Sequence, residues 1–285
     1  MEALKTYIDN QIFYFKIDLS IQQNVKKDTF HLDYENKEYR QKDLVRLIRD
    51  AVPYFALTPE EFEEYIRQKS IIDLQRNAWS RISKAREDKK GDYGELLLYL
   101  ILVSFYNAEK FVTKVRLRSS TKEQIKGYDC AHFTIENNEP ILWLGEAKFH
   151  QSFSTALSDA INSIEEHCKT TYLKDEISIL KANVEINKHK DFSKLNNVFK
   201  GKSIDSIKIR VPILLTYDSS VVKNNDEISD KFKTELKNEI LRHYNKIERQ
   251  TIDCNSNFEL LFILFPLHTV KEIKKKLENI EEASR

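Results

Sequence analysis

Residues 141–149 read Ile141-Leu142-Trp143-Leu144-Gly145-Glu146-Ala147-Lys148-Phe149, an apolar run that ends in an acid and a base. Such a run favours a buried β-strand, in which successive side chains point to opposite faces. Glu146 and Lys148 therefore share one face, and small residues on the other face are typical of close packing by a helix. The pair has two interpretations: a simple ion pair on a solvated strand, or a functional pair. The apolar context favours a functional pair, because a buried charge is costly unless it is paired or ligated.

A second acid, Asp129, follows Gly127 and Tyr128 at the start of the preceding strand-like segment. A hairpin between the two strands brings Asp129 near Glu146. Two converging carboxylates repel each other unless a cation lies between them, and oxygen ligands suit Mg²⁺ or Mn²⁺. We therefore expect Asp129, Glu146 and the backbone carbonyl of Ala147 to hold a divalent ion. The alternative for Asp129 is a turn-stabilising aspartate.

A third acid, Glu95, begins a segment that is apolar nearly all round, which is typical of a buried helix. We expect its carboxylate either to find a partner at the helix start or to lie beside the metal site as a further possible ligand. Gly94 would let the backbone approach closely there. The alternative is an acid that complements the positive end of the helix dipole.

The remaining candidates concern the substrate. Lys148 is expected to position or deprotonate a water molecule and to stabilise the charge that develops on a phosphate, which suits phosphodiester hydrolysis. Lys114, Arg116 and Arg118 share a strand face that suits a DNA backbone, and Gln151 follows the site closely enough to touch substrate. The alternatives are an edge strand protected by its charges and an ordinary polar loop residue.

Composition excludes several classes of protein. The 285 residues include five glycines, where about 20 are usual. No G-x-G-x-x-G, G-x-x-x-x-G-K-[ST] or G-x-S-x-G motif is present, which argues against an ordinary dehydrogenase, nucleotide hydrolase or esterase. The 46 basic and 45 acidic residues leave a net charge of +1, so any polyanion site must be local.

The cysteines and apolar runs indicate the compartment. Cys130, Cys168 and Cys254 are widely spaced and odd in number, so we expect small buried thiols, with no disulfide framework and no structural zinc site. No apolar run approaches the ~20 residues that span a bilayer. The sequence thus predicts a soluble protein of the reducing cytoplasm, without a membrane partner.

The sequence divides near residue 90. Residues 1–90 are expected to form a mainly helical N-terminal region for partner docking, and residues 91–285 a second, α/β domain. In the first region Pro53 is expected to end a helix, Thr58 to cap the next one with Glu61, and Ile72, Trp79 and Ile82 to lie buried. After residue 92 the predicted order is helix, three strands, helix, strand, helix, strand. Lys274, Lys275 and Lys276 are interpreted as a solvated helix face.

These motifs resemble the PD-(D/E)XK nuclease superfamily. The acid at the start of a buried helix, Asp129 after a glycine turn, and Glu146-Ala147-Lys148 at a strand end correspond to its pattern, although Tyr128 stands where the nominal proline would be. The resemblance implies a restriction-endonuclease-like core, a mixed sheet flanked by helices, and an α+β fold overall. It also implies that Asp129 and Glu146 are metal ligands, Lys148 the catalytic lysine and Glu95 an accessory acid.

A narrower resemblance concerns residues 127–133 and 144–149. These phrases, in a chain of this length with a helical N-terminal region, are similar to the HamA family of Hachiman anti-phage defence systems. The resemblance implies a metal-dependent DNA nuclease that a HamB-like helicase partner restrains. The rival hypotheses are a non-catalytic nucleic-acid or helicase adaptor that keeps a nuclease-like fold, and an α/β scaffold in which Glu146 and Lys148 form a structural ion pair.

Overall fold

A computed structural model of the chain describes residues 2–15, 25–68, 70–82, 92–113, 128–137, 139–168, 208–252, 254 and 258–284. Its elements, in chain order, are α1 (Glu2–Asp9), β1 (Ile12–Tyr14), β2 (Val25–Leu32), β3 (Tyr34–Glu35), β4 (Glu38–Tyr39), α2 (Gln41–Ala56), α3 (Pro59–Arg67), α4 (Ile71–Arg81), α5 (Asp92–Phe105), β5 (Glu109–Thr113), β6 (Cys130–Glu136), β7 (Glu139–Phe149), α6 (Phe153–His167), β8 (Ile209–Asp218), α7 (Ser220–Asn224), α8 (Asp230–Glu248), β9 (Phe258–Leu267) and α9 (Val270–Ala283).

A seven-stranded mixed sheet organises the molecule, in the order β1-β2-β9-β8-β7-β6-β5. The four strands β2, β9, β8 and β7 run parallel to one another, whereas β1 pairs antiparallel with β2, and β6 pairs antiparallel with both β7 and β5. The apolar runs of β7, β8 and β9 are buried almost throughout, as expected for strands covered on both faces. The α/β class is therefore confirmed, and so is the predicted element order of the described residues after residue 92, to which the structure adds the short helix α7 and the final helix α9.

Two helices cover opposite faces of β7 and so determine where its side chains lie. A Cβ atom on Gly145 would lie 2.7 Å from Leu98 of α5, and one on Gly94 would lie 3.1 Å from the Phe149 Cβ. The small face of β7 therefore packs against α5 at close range. The opposite face, with Glu146 and Lys148, meets α6, whose Ser163 hydroxyl donates a hydrogen bond to Glu146.

The N-terminal region is helical but also supplies part of the main sheet. Strand β2 pairs in parallel with β9, with Val25 opposite Leu260, and β1 pairs with β2. Helix α2 packs against α5. The capping box predicted at Thr58 is confirmed: its hydroxyl accepts the Glu61 N–H, and the Glu61 carboxylate accepts the Thr58 N–H.

Two predictions in this region are wrong. Pro53 lies inside α2, which continues to Ala56, because a proline removes only one backbone donor and the buried Val52 and Phe55 still anchor the last turn. Ile72 is 73% exposed, whereas Trp79 and Ile82 are buried as predicted. The buried positions of α4 lie in its later turns, and no other described residue covers its first turn.

Candidate active site at the end of strand β7

Glu146 and Lys148 form an ion pair near the C-terminal end of β7. The Lys148 Nζ lies 2.5 Å from the Glu146 Oε1, and the Glu146 side chain is almost fully buried while that of Lys148 stays partly exposed. The pair thus occupies one face, as strand alternation predicts. A buried carboxylate paired with a partly exposed ammonium group forms a strong local dipole at the end of the strand.

Asp129 lies immediately before β6 and directs its carboxylate at the same strand end. Its backbone N–H donates to the Gly145 carbonyl at 2.9 Å, and its Oδ2 accepts the Ala147 N–H at 2.8 Å. The pKa of the Glu146 carboxyl is raised to about 7, first by burial and then by the Asp129 charge, while Lys148 and Ser163 act to lower it. The two acids therefore repel each other across β7, as the hairpin argument predicts.

The Ala147 backbone lies at the same edge of β7 as Asp129. Regular pairing between β6 and β7 ends at Cys130 and Gly145, two residues earlier. The N–H and C=O of one strand residue point to the same edge, so the Ala147 carbonyl also faces the side where Asp129 binds the Ala147 N–H. This carbonyl adds an oxygen to the two carboxylates.

Glu95 is buried in the first turn of α5. Burial raises the pKa of the neighbouring Cys130 thiol, and the charges of Asp129, Glu95 and Glu146 raise it further. The negative charges of three carboxylates therefore raise the pKa of one buried thiol. Glu95 acts from α5, on the face of β7 opposite to Glu146. The structure brings Glu95 into the electrostatic neighbourhood of the other two acids, which sequence spacing alone did not establish.

Helix α6 supplies two further contacts to Glu146. The Ser163 hydroxyl donates to Glu146 Oε1 at 2.8 Å, and the His167 Nδ1 lies 3.7 Å from Oε2. The sequence did not assign either residue to this site. The one feature of the sequence that relates them is their spacing of four residues, which places them on one face of a helix.

A disulfide bond corrects the expectation for the cysteines. Cys168, one residue beyond α6, is bonded to Cys254, 86 positions away, with Cα atoms 5.4 Å apart. Cys130 is a buried free thiol, as predicted. Sequence spacing missed the bond because the fold, rather than a local motif, brings the two residues together.

The predicted substrate contacts stay predictions. Gln151 is exposed just beyond β7, and its backbone carbonyl accepts the Asp218 N–H. Lys114, Arg116 and Arg118 lie outside the described residues, as does Gly127. Lys110, which precedes these residues in β5, donates from its Nζ to the Leu57 carbonyl at 2.8 Å, so it joins β5 to the end of α2.

The oxygen atoms at this site suit a hard divalent cation, although no group of three His, Cys, Asp or Glu side chains within the described ranges has metal-binding geometry. Glu146 Oε2 is buried and accepts no hydrogen bond from any described residue. Two carboxylates and a main-chain carbonyl are enough for Mg²⁺, which keeps several water ligands and binds substrate phosphates. The donor set therefore fits Mg²⁺ or Mn²⁺ with part of its shell left for water and substrate.

Sequence comparison supplies the family. None of the helices in the described part of the chain combines the length and apolar character needed to cross a bilayer. No curated protein matches the chain. The sequence profile of the HamA family matches residues 7–280, nearly the whole length. The chain therefore belongs to the HamA family of Hachiman anti-phage defence proteins.

Proposed function

We propose that this HamA-family protein is a metal-dependent deoxyribonuclease that hydrolyses DNA phosphodiester bonds in anti-phage defence. The observation that carries the proposal is the buried Glu146, which is paired with Lys148 and repelled by Asp129 at one strand end. A stable fold does not require two carboxylates at such a place, whereas binding a cation does. Membership of a defence family supports a nucleic acid as the target.

Each residue has a distinct proposed role. The carboxylates of Asp129 and Glu146 and the carbonyl of Ala147 would hold Mg²⁺ or Mn²⁺, with Glu95 as an accessory acid. A divalent ion supplies polarisation of the phosphoryl oxygen and a lower pKa for a bound water. Lys148 holds the substrate phosphate and stabilises the charge that develops on it.

Ser163 and His167 act on Glu146 rather than on the substrate. The Ser163 hydrogen bond restrains Oε1, and His167 faces Oε2. These contacts hold the carboxylate in one orientation before a cation binds, which reduces the reorganisation that catalysis requires.

The proposed partner is a HamB-like helicase, which delivers DNA to a chain whose net charge of +1 offers little long-range attraction. The proposed contact is the N-terminal region. Ile66, Ile71 and Ile72 are each at least half exposed at the turn between α3 and α4, and exposed apolar side chains close together are typical of interfaces.

The test is DNA cleavage by the chain together with its helicase partner, in Mg²⁺, in Mn²⁺ and in EDTA. We expect Glu146→Gln and Lys148→Ala each to lower the cleavage rate at least 100-fold. Glu139→Gln is the matched control, because Glu139 is an exposed acid at the other end of the same strand, paired with Lys208 at 3.5 Å. Equal cleavage by wild type and both site variants would contradict the proposal.

The alternative function is a non-catalytic nucleic-acid or helicase adaptor. The absence of a three-ligand cluster among the described residues favours it. Thermal unfolding with Mg²⁺ separates the two functions, because a ligand that binds only the native state raises its melting temperature. A nuclease should show a Mg²⁺-dependent rise that Asp129→Asn removes, whereas an adaptor should show the same melting temperature with and without the ion.

A further inference from the structure

Helix α9 brings a lysine to the strand end that carries the proposed active site. The Lys274 ammonium lies 5.6 Å from the ring centroid of Phe149, the last residue of β7, whose side chain lies on the α5 face while Lys148 lies on the other face. Lys274 and Lys276 are partly buried and Lys275 is exposed, so the interpretation as a solvated helix face holds in full only for Lys275.

Lys274 has little to neutralise its charge. Among the described residues no carboxylate forms an ion pair or a hydrogen bond with it, and Glu278, one turn along α9, acts on it only at longer range. Burial lowers the pKa of the Lys274 ammonium. A desolvated cation without a close counter-ion costs stability, so its place beside a candidate site favours a functional role.

Three basic groups surround the same strand end. The pKa of His150 is lowered by burial and also by the charges of Lys274 and Lys148, while its ion pair with Asp159 acts in the other direction. Lys148 and Lys274 thus both lie within electrostatic range of His150. Glu146 is already paired with Lys148 and Asp159 with His150, whereas Lys274 forms no ion pair with a carboxylate of the described residues and contacts the Phe149 ring instead.

We infer that Lys274, together with His150, forms a binding subsite for a phosphate of the DNA backbone that neighbours the scissile phosphate. The inference rests on the proposed function, since it assigns Lys148 to the scissile phosphate and Lys274 to the next one along the strand. The subsite lies outside the carboxyl ends of parallel strands, where open α/β sheets commonly bind their ligands. It also supplies a local positive charge that the nearly neutral chain as a whole lacks.

The experiment measures binding of a labelled DNA duplex to the full chain in EDTA, across a series of salt concentrations. We expect Lys274→Gln to weaken binding about ten-fold and to reduce the slope of log K against log salt by about 0.9, the value for one lost phosphate contact. Lys275→Gln is the matched control, because it removes the same charge one residue away on the exposed side of α9. Lys274→Arg should keep both the affinity and the slope.

Binding by Lys274→Gln equal to that of Lys275→Gln would overturn the inference, and so would a wild-type chain that does not bind DNA at low salt. If Lys274→Gln does not fold, Lys274→Met, which keeps the aliphatic stem over Phe149, carries the same test. Binding in EDTA needs no cleavage. A chain that binds DNA through Lys274 but does not cleave it would therefore contradict the proposed function and leave the binding subsite in place.

Discussion

Glycine at position 145 is required by two neighbouring side chains, Cys130 of β6 and Leu98 of α5. A Cβ atom there would lie 2.6 Å from the Cys130 Sγ and 2.7 Å from the Leu98 Cδ2, both closer than van der Waals contact. This close approach places β7 against α5 and so fixes the depth at which the next residue, Glu146, lies. The absence of a side chain at Gly145 therefore helps to determine where the proposed site lies.

We expect Gly145→Ala to lower the free energy of unfolding by about 1–3 kcal/mol, because either Cys130 or Leu98 must move. Adding Cys130→Ala should recover part of that loss, since it removes the closer of the two clashing atoms. Chemical denaturation of wild type, both single variants and the double variant measures the effect. Strictly additive losses would show that Cys130 does not cause the strain.

His132 is a buried histidine without a proposed catalytic role. Its Nδ1 lies 3.1 Å from the Ala108 carbonyl, and its ring faces Tyr99 of α5, on the side of β6 away from Asp129. Burial lowers the pKa of His132 to about 4, and Lys110 acts in the same direction. The fold therefore favours the neutral imidazole, as expected for a structural residue.

This burial predicts a pH dependence of stability. Because the pKa in the folded state lies below the ordinary 6.5, the native state binds fewer protons, and its stability falls as the pH drops from 6.5 towards 4. His132 accounts for at most about 3 kcal/mol of that fall. His243, whose pKa is also lowered to about 4, adds to the slope. His132→Gln should therefore reduce, but not abolish, the slope of unfolding free energy against pH, and an unchanged slope would contradict the assignment.

At the scale of elements, α6 links the proposed site to a covalent bond. Ser163 and His167 contact Glu146, and the next residue, Cys168, is bonded to Cys254 in the segment before β9. The disulfide therefore anchors the end of the helix that orients Glu146. The two helices on β7 differ in this respect, since α5 is held by close packing at Gly94 and Gly145.

We expect Cys254→Ser to lower the free energy of unfolding by about 2–4 kcal/mol without reductant, because the cross-link restricts the unfolded chain. A reductant should bring the wild type to the stability of the variant and leave the variant unchanged. Thiol titration of the denatured, unreduced wild type should find one free thiol, Cys130. Three free thiols would contradict the disulfide.

At the scale of the whole molecule, the main sheet is built from both ends of the chain. Strand β2 covers one edge of β9, whose other edge pairs with β8, and β9 is buried along its length. Without β1 and β2, the apolar β9 would be an edge strand, which is prone to aggregate. The division at residue 90 remains a prediction about function, while the sheet crosses it.

Because the main sheet includes strands from both sides of residue 90, we expect the whole chain to unfold in one cooperative transition. We expect a fragment of residues 91–285 not to do so. The fragment should aggregate or unfold without a sharp midpoint, because it lacks β2 beside β9 and α2 against α5. Size-exclusion chromatography and circular dichroism measure both properties. A monomeric fragment with a sharp transition would instead establish residues 91–285 as an independent domain.

Local sequence patterns were enough for most elements after residue 92 and for the pairing of Glu146 with Lys148. The apolar runs identified β6, β7, β8 and β9, and strand alternation placed Glu146 beside Lys148. The Thr58 capping box could also be predicted from the sequence, because its hydrogen bonds join residues that are three positions apart. These features depend on neighbours in the sequence, so tertiary structure did not alter them.

Other features were set by contacts between residues far apart in the chain. The contacts of Ser163 and His167 with Glu146, the Cys168–Cys254 bond, the burial of Lys274 and the pairing of β2 with β9 each join segments that no local pattern relates. Ile72 and Pro53 departed from their predictions for the same reason, since burial depends on what packs above a helix. Periodicity specifies which face of an element is apolar, whereas the partner that covers that face is selected only when the whole chain folds.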